Sequence, residues 1–201
     1  MALFLNEEEV AGLLPMDECI QALDRAFAHA GQGDTEVKPR SRMVMPNGMF
    51  HFLAAADSGA GVFGYKAYPS FAASGGAKMM VMLYDYETGH LLACMEGGRL
   101  GQIRTGAASG LATRYMANED AAKVAVIGSG RQARTQLEAV CAVRKVSQAK
   151  VFSRRQERRE EFAQRMTDSL GIDVKPVDSG QECVGDADIV LLITSSREPV
   201  L

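Results

Sequence analysis

The spacing of apolar and polar positions changes twice along this chain, and each change marks a different kind of structure. From Asn6 the pattern is helical. Asn6 is placed to cap, with Glu9 at the third helical position, and Pro15 ends that segment. Asp17 opens a second predicted helix in which Ile20, Leu23, Phe27 and Ala30 form one stripe, with Gly31 and Gly33 as its stop. From about Ser41 short apolar runs follow one another: Arg42 to Met45, Met49 to Ala54, Val62 to Tyr68, Met79 to Tyr84 and His90 to Met95. Asn47-Gly48, Ser58-Gly59 and Glu87-Thr88-Gly89 punctuate them, so the short links predict an antiparallel sheet. After Gly97-Gly98 a helix is predicted with Ile103, Ala107, Leu111 and Tyr115 on one face.

At Lys123 the grammar becomes strand–helix alternation. Strands are expected at 123–128, 149–153, 172–175 and 188–194, with helices at 131–143, 156–169 and, shorter, near 180–185. Such alternation predicts a parallel, doubly wound sheet. The fold class is therefore α/β, a doubly wound parallel sheet of about four strands beside an α+β domain with a mainly antiparallel sheet. The boundary between them is placed at 118/119, giving domains 1–118 and 119–201. The sequence stops soon after the apolar strand Ile189–Ile193, where six strands are usual, which leads us to expect a fragment or truncated product.

The first strand of the alternating half, Val124 to Ile127, runs into Gly128-Ser129-Gly130-Arg131-Gln132-Ala133 and then a helix. A bare G-x-G-x-x-A says little; between a strand and a helix each residue has a purpose. Gly128 makes the tight turn, Gly130 lets the backbone approach a pyrophosphate, and Ala133 lets the helix lie close to the strand. The helix N-terminus offers its amides to the phosphates. This is the phosphate-binding turn of a Rossmann domain. The second strand ends at Ser153-Arg154-Arg155. An enzyme preferring NAD usually carries an acid there for the ribose 2′-hydroxyl, whereas arginine suits a 2′-phosphate. No acid occurs from Gln148 to Gln156, so NADP(H) is favoured over NAD(H). The alternative is that these arginines are merely solvated. Thr194 and Ser195, at the end of the fourth strand, line a cofactor crevice or simply end the strand.

Composition narrows the picture only by exclusion. A hydrophobic fraction of 47%, a charged fraction of 23% and a net charge of −3 describe an ordinary globular chain. They give no reason to expect nucleic acid or an anionic membrane as partner. No apolar run approaches the roughly 18 residues of a membrane span. Cys19, Cys94, Cys141 and Cys183 form no C-x-x-C pair and read as reduced thiols of a cytoplasmic protein, and no zinc site is expected. Seven of the eleven methionines fall between Met43 and Met95, as core packing or as an adaptable subunit interface.

Three cations of the first half are candidates for substrate chemistry. Lys66 sits inside an apolar strand, Arg104 opens the word Ile103-Arg104-Thr105-Gly106-Ala107, and Arg42 starts a strand. An inward lysine can serve as acid or base, and a guanidinium can clamp a carboxylate at two points. Each is as readily an ordinary surface cation.

Taken together, Gly64-Tyr65-Lys66, Leu83-Tyr84-Asp85 to Gly89, Gln102 to Ser109, the G-x-G-x-Q-A turn and Asp188-Ile189-Val190 to Thr194-Ser195 resemble the ornithine cyclodeaminase/mu-crystallin family. The resemblance implies a substrate and dimerisation lobe, whose strands join those of a second subunit, and a Rossmann lobe. It implies hydride transfer at a carbon that bears nitrogen beside a carboxylate. It makes Lys66 the lysine near that carbon, Arg104 the carboxylate clamp, and Arg42, or the nearby Arg40, a second clamp. Thr105 becomes a cofactor contact. An NADPH-dependent imine or ketimine reductase, or an amino-acid dehydrogenase, is the leading expectation, with a small amino acid or cyclic imine as substrate and a homodimer as assembly. A cyclodeaminase that recycles NAD and an inactive NADPH-binding protein are the alternatives. The family's later aspartate and closing helices lie outside this sequence, so much of the nicotinamide half of the cofactor site is expected to be lacking.

Overall fold

The computed structural model describes residues 1–71 and 78–201. The chain divides into two compact units, Met1–Gly101 and Gln102–Leu201.

The first unit is built on a seven-stranded mixed sheet. Its strands are β1 (Leu3–Leu5), β2 (Thr35–Val37), β3 (Ser41–Met45), β4 (Gly48–Asp57), β5 (Val62–Phe71), β6 (Met80–Asp85) and β7 (Leu91–Glu96). They run in the order β1-β7-β6-β5-β4-β2, and β3 also pairs with β4. The four pairings predicted from consecutive runs are antiparallel. The three-residue strands β1 and β2 are too short to show a period, and β1 joins β7 in parallel. Helix α1 (Glu7–Leu13) has the predicted capping box: Asn6 Oδ1 accepts from the Glu8 and Glu9 amides, and the Glu9 carboxylate accepts from the Asn6 amide.

Helix α2 (Met16–Gln32) starts one residue before Asp17, runs through Gly31 and stops at Gly33, whose φ of 88° ends it in the left-handed region. Its covered residues are Met16, Cys19 and Ile20, while Phe27 and Ala30 of the predicted stripe are exposed. Period alone identifies a helical face but not how far along the helix its partner extends. None of the seven central methionines is fully buried: Met43 and Met80 are exposed and the other five are half-buried.

Helix α3 (Gly98–Met116) starts in the first unit and continues in the second. Ile103, Ala107 and Leu111 are buried as their spacing requires, but Tyr115 is exposed. The second unit then follows the predicted alternation: β8 (Lys123–Ile127), α4 (Arg131–Val143), β9 (Gln148–Phe152), α5 (Gln156–Leu170), β10 (Asp173–Pro176), α6 (Gly180–Val184) and β11 (Ile189–Leu192). The four strands are parallel in the order β10-β9-β8-β11. That order returns to the centre after the third strand, which is the switch point of a doubly wound sheet. Val124, Val126, Leu137, Val140, Val151 and Phe162 fill the core on one face, closing β8 and β9 against α4 and α5.

Candidate functional site

In the second unit the carboxyl ends of β8, β9 and β11 meet at the glycine turn. Gly128 has φ 109°, and a Cβ there would lie 2.2 Å from the Ile193 carbonyl oxygen. Glycine is therefore required twice, by dihedral and by contact. The Gly128 amide donates to the Phe152 carbonyl at 2.8 Å, and the Ile193 amide donates to Ile127 at 2.8 Å, so the turn is fixed on both sides. Gly130 is extended, exposed and faces open space where a Cβ would stand. It caps α4 without a side chain and its carbonyl accepts from the Ala133 amide at 3.1 Å, leaving the Arg131 and Gln132 amides for an outside acceptor. Ala133 is fully buried against the sheet. Arg131 is exposed, and Gln132 keeps its Oε1 buried with no hydrogen-bond partner among the described residues.

The Ser129 hydroxyl donates to Ser153 Oγ at 2.9 Å, which joins the glycine turn to the end of β9. Ser153 in turn hydrogen-bonds the Arg155 carbonyl at 3.3 Å. Arg154 and Arg155 are exposed, and neither has an ion pair with another described residue. Thr194 follows the Ile193 carbonyl that abuts Gly128, and its Oγ1 accepts from the Ser196 amide at 3.0 Å; Ser195 is exposed beside it. A turn with a free helix start, two hydroxyls and two exposed guanidinium groups at one sheet edge fits the pyrophosphate and adenosine-ribose parts of a dinucleotide.

The word around Arg104 is partly structural. The Gln102 side-chain amide donates to the Arg131 carbonyl at 2.6 Å, and Thr135 Oγ1 donates to the Gln102 carbonyl at 3.2 Å. Gly106 lies so close to Thr135 that a Cβ would stand 2.3 Å from its carbonyl oxygen. These contacts hold α3 against the first turn of α4, leaving Arg104 exposed and Thr105 half-buried between Gln102 and Gly106.

In the first unit, the register of the sheet groups the other cations. Arg42 on β3 is opposite His51 on β4, and His51 is opposite Tyr68 on β5. Lys66 lies two positions before Tyr68, so Arg42, His51, Tyr68 and Lys66 share one face. Arg40 precedes β3 and has no such pairing. His51 was not foreseen. It is buried, stacks on Tyr68 with centroids 4.7 Å apart, and its Nδ1 has no partner among the described residues. A lone histidine in an apolar run gives no sequence signal of this kind.

A second unforeseen residue is Arg159 on α5. It occupies the apolar stripe with Phe162, Ala163 and Met166 and is 8% exposed. Its Nη1 donates to the Ser153 carbonyl at 3.1 Å and its Nη2 pairs with the Asp178 carboxylate. An arginine at an apolar-stripe position was the available signal.

The family model of the ornithine cyclodeaminase/mu-crystallin family matches residues 1–201. The chain belongs to the ornithine cyclodeaminase/mu-crystallin family. Among family relatives, the Delta(1)-pyrroline-2-carboxylate reductase of Bacillus cereus is 38% identical over 121 residues, 60% of this chain and 37% of that protein. The Thermococcus litoralis Delta(1)-pyrroline-2-carboxylate reductase, solved with NADH and L-proline, superposes with a TM-score of 0.91 at 33% identity. That match covers 99% of this chain and 64% of the other. An archaeal alanine dehydrogenase dimer with bound NAD superposes with a TM-score of 0.91 at 29% identity, covering 100% of this chain and 62% of the other. The chain thus spans less than two thirds of these family members. Among the described residues, no helix is long and apolar enough to cross a membrane.

Proposed function

We propose that this chain carries the cofactor-phosphate and substrate-carboxylate residues of an NADPH-dependent reductase. Its substrate class is an imine next to a carboxylate, cyclic imines foremost, and the reverse reaction oxidises the corresponding amino acid. The observation that carries the cofactor preference is the end of β9. There Ser153 is hydrogen-bonded to the glycine turn at 2.9 Å and Arg154 and Arg155 stand exposed. No acid on that loop competes for the ribose.

In this reading the backbone amides of Ser129, Gly130, Arg131 and Gln132 hold the pyrophosphate, with Gly128 making the turn that presents them and Ala133 letting α4 lie close to the sheet. Ser153, Arg154 and Arg155 take the adenosine ribose and its 2′-phosphate. Thr105, Thr194 and Ser195 contact the rest of the cofactor, whose nicotinamide supplies hydride when bound. By the family resemblance Arg104 is a clamp for the substrate carboxylate; in the first unit Arg42 is a candidate second clamp and Lys66 the group that holds the proton going to or from the substrate nitrogen. The second unit's family neighbours were solved with NADH and NAD, which lack a 2′-phosphate, so cofactor preference needs its own test.

The assembly we propose is a homodimer. Phe52, Tyr65, Met80 and Met43 are exposed on the sheet face opposite Lys66, a concentration of apolar surface that water disfavours and a second copy would cover. The four free thiols fit a reducing compartment, the cytoplasm.

The deciding experiment titrates the protein with NADPH and NADH in parallel, by nicotinamide fluorescence and thermal shift, and then assays cyclic imine carboxylates with the preferred cofactor. Tighter NADPH binding that Arg154→Ala abolishes supports the reading. Preference for NADH, unchanged by Arg154→Ala, would refute the 2′-phosphate assignment and favour a cyclodeaminase that recycles NAD.

A further inference from the structure

The loop after β9 contains no acid, but the fold brings one to it. Asp178 follows β10, and its carboxylate pairs with the same Arg159 guanidinium that donates to the Ser153 carbonyl. One guanidinium therefore separates a carboxylate from the backbone of the loop assigned to the adenosine ribose. The two partners are unequal in exposure: the Arg159 side chain is 10% exposed and that of Asp178 is 90% exposed. A buried arginine with its carbonyl acceptor is fixed in place, whereas an exposed carboxylate is free to turn toward water or toward a ligand.

We infer that Arg159 determines phosphate selectivity by neutralising Asp178 and fixing the Ser153 carbonyl. It is a positioning residue and has no need to touch the cofactor. With Arg159 in place, Asp178 contributes no net negative charge at the rim, and Arg154 and Arg155 define the local field. Without it, the carboxylate would face the ribose from β10, repel a 2′-phosphate and accept from a 2′-hydroxyl. The site would then acquire from the third strand the acid that NAD-preferring sites carry on the second. This inference rests on the reading of Ser153–Arg155 as the adenosine-phosphate end, but it concerns a ratio that is measurable whichever cofactor the unaltered protein prefers.

The test compares NADPH and NADH affinities, by nicotinamide fluorescence on the full chain, for the unaltered protein, Arg159→Met, Asp178→Asn and the double variant. Arg159→Met is expected to weaken NADPH several-fold more than NADH, the scale of one unpaired charge that stays largely in water. Asp178→Asn, which changes only an exposed side chain and keeps the fold measurable if Arg159→Met does not accumulate, is expected to raise the NADPH:NADH preference. The double variant should recover most of the NADPH affinity that Arg159→Met loses. An unchanged preference in Asp178→Asn, or equal loss of both nucleotides in Arg159→Met without recovery in the double variant, would overturn the inference and leave Arg159 a packing residue. A preference for NADH in the unaltered protein, with the ratios still shifting as described, would overturn the NADPH reading alone.

Discussion

The Glu7 carboxylate accepts hydrogen bonds from the Gly98 and Arg99 amides at 2.7 and 2.6 Å, capping α3 from the opposite end of the first unit. A Cβ at 98 would lie 2.5 Å from Glu7 Oε1, so a larger residue there would push the capping carboxylate aside. The other end of α3 is closed by Arg144, whose Nη2 donates to the Thr113, Arg114 and Ala117 carbonyls at 2.9, 3.0 and 2.9 Å. Anion at the N-terminus and cation at the C-terminus both match the helix dipole. Glu7→Ala should therefore cost about 1–2 kcal/mol, as losing a good cap does. Chemical denaturation checks this, with Glu7→Gln, which keeps one acceptor, expected to fall between.

Gly128→Ala tests the turn itself. The alanine would be strained at φ 109° and would meet the Ile193 carbonyl. Strain of this kind costs on the order of 1–3 kcal/mol before any clash is relieved. A lower Tm and loss of dinucleotide binding are expected together. Gly130→Ala, which meets nothing within 4 Å, should keep the Tm and lose affinity only. Calorimetry and nucleotide titration on the two variants separate the effects.

Acid should unfasten β11 from β8. The Asp188 carboxylate accepts from the Ala122 and Lys123 amides at 2.8 Å each, and those two hydrogen bonds hold its pKa below the ordinary 3.8. A carboxyl with a depressed native pKa stabilises the fold above its unfolded value, and this contribution is lost as pH falls through the native one. Stability of the unaltered protein should therefore drop below about pH 4 more steeply than that of Asp188→Asn. Denaturant titrations between neutral and acid pH would show parallel curves if Asp188 plays no part.

Cys141 should resist alkylation. Burial, with the Glu138 charge beside it, pushes its thiol up to about 11. Since the thiolate is the nucleophile, its reaction with iodoacetamide near pH 8 should be slower than that of an exposed cysteine by roughly two orders of magnitude. Peptide mapping after timed alkylation measures this, and rapid labelling of Cys141 in the folded protein would contradict it.

The strand–helix alternation after Lys123 was legible because each element has a period, and the element bounds differ from the expected ones by only a few residues. The glycine turn was legible because its geometry is local: the tight turn at Gly128 and the close helix packing at Ala133 both depend on neighbouring residues. In the first unit the long strands were legible and the three-residue β1 and β2 were not, because so short a segment becomes a strand only when an existing edge accepts its backbone.

What the sequence determined by itself was the order of elements, the glycine turn and the family, all of which reside in local pattern or in ordered words along the chain. Which distant side chains meet was decided only by the tertiary structure. Glu7 at Gly98, Arg144 at the end of α3 and Asp178 held by Arg159 all join residues 19 or more positions apart. A charged side chain on a helix or loop has the same local signal whether it faces water or a partner. Only closure of the sheets, driven by apolar burial, sets those polar groups opposite one another.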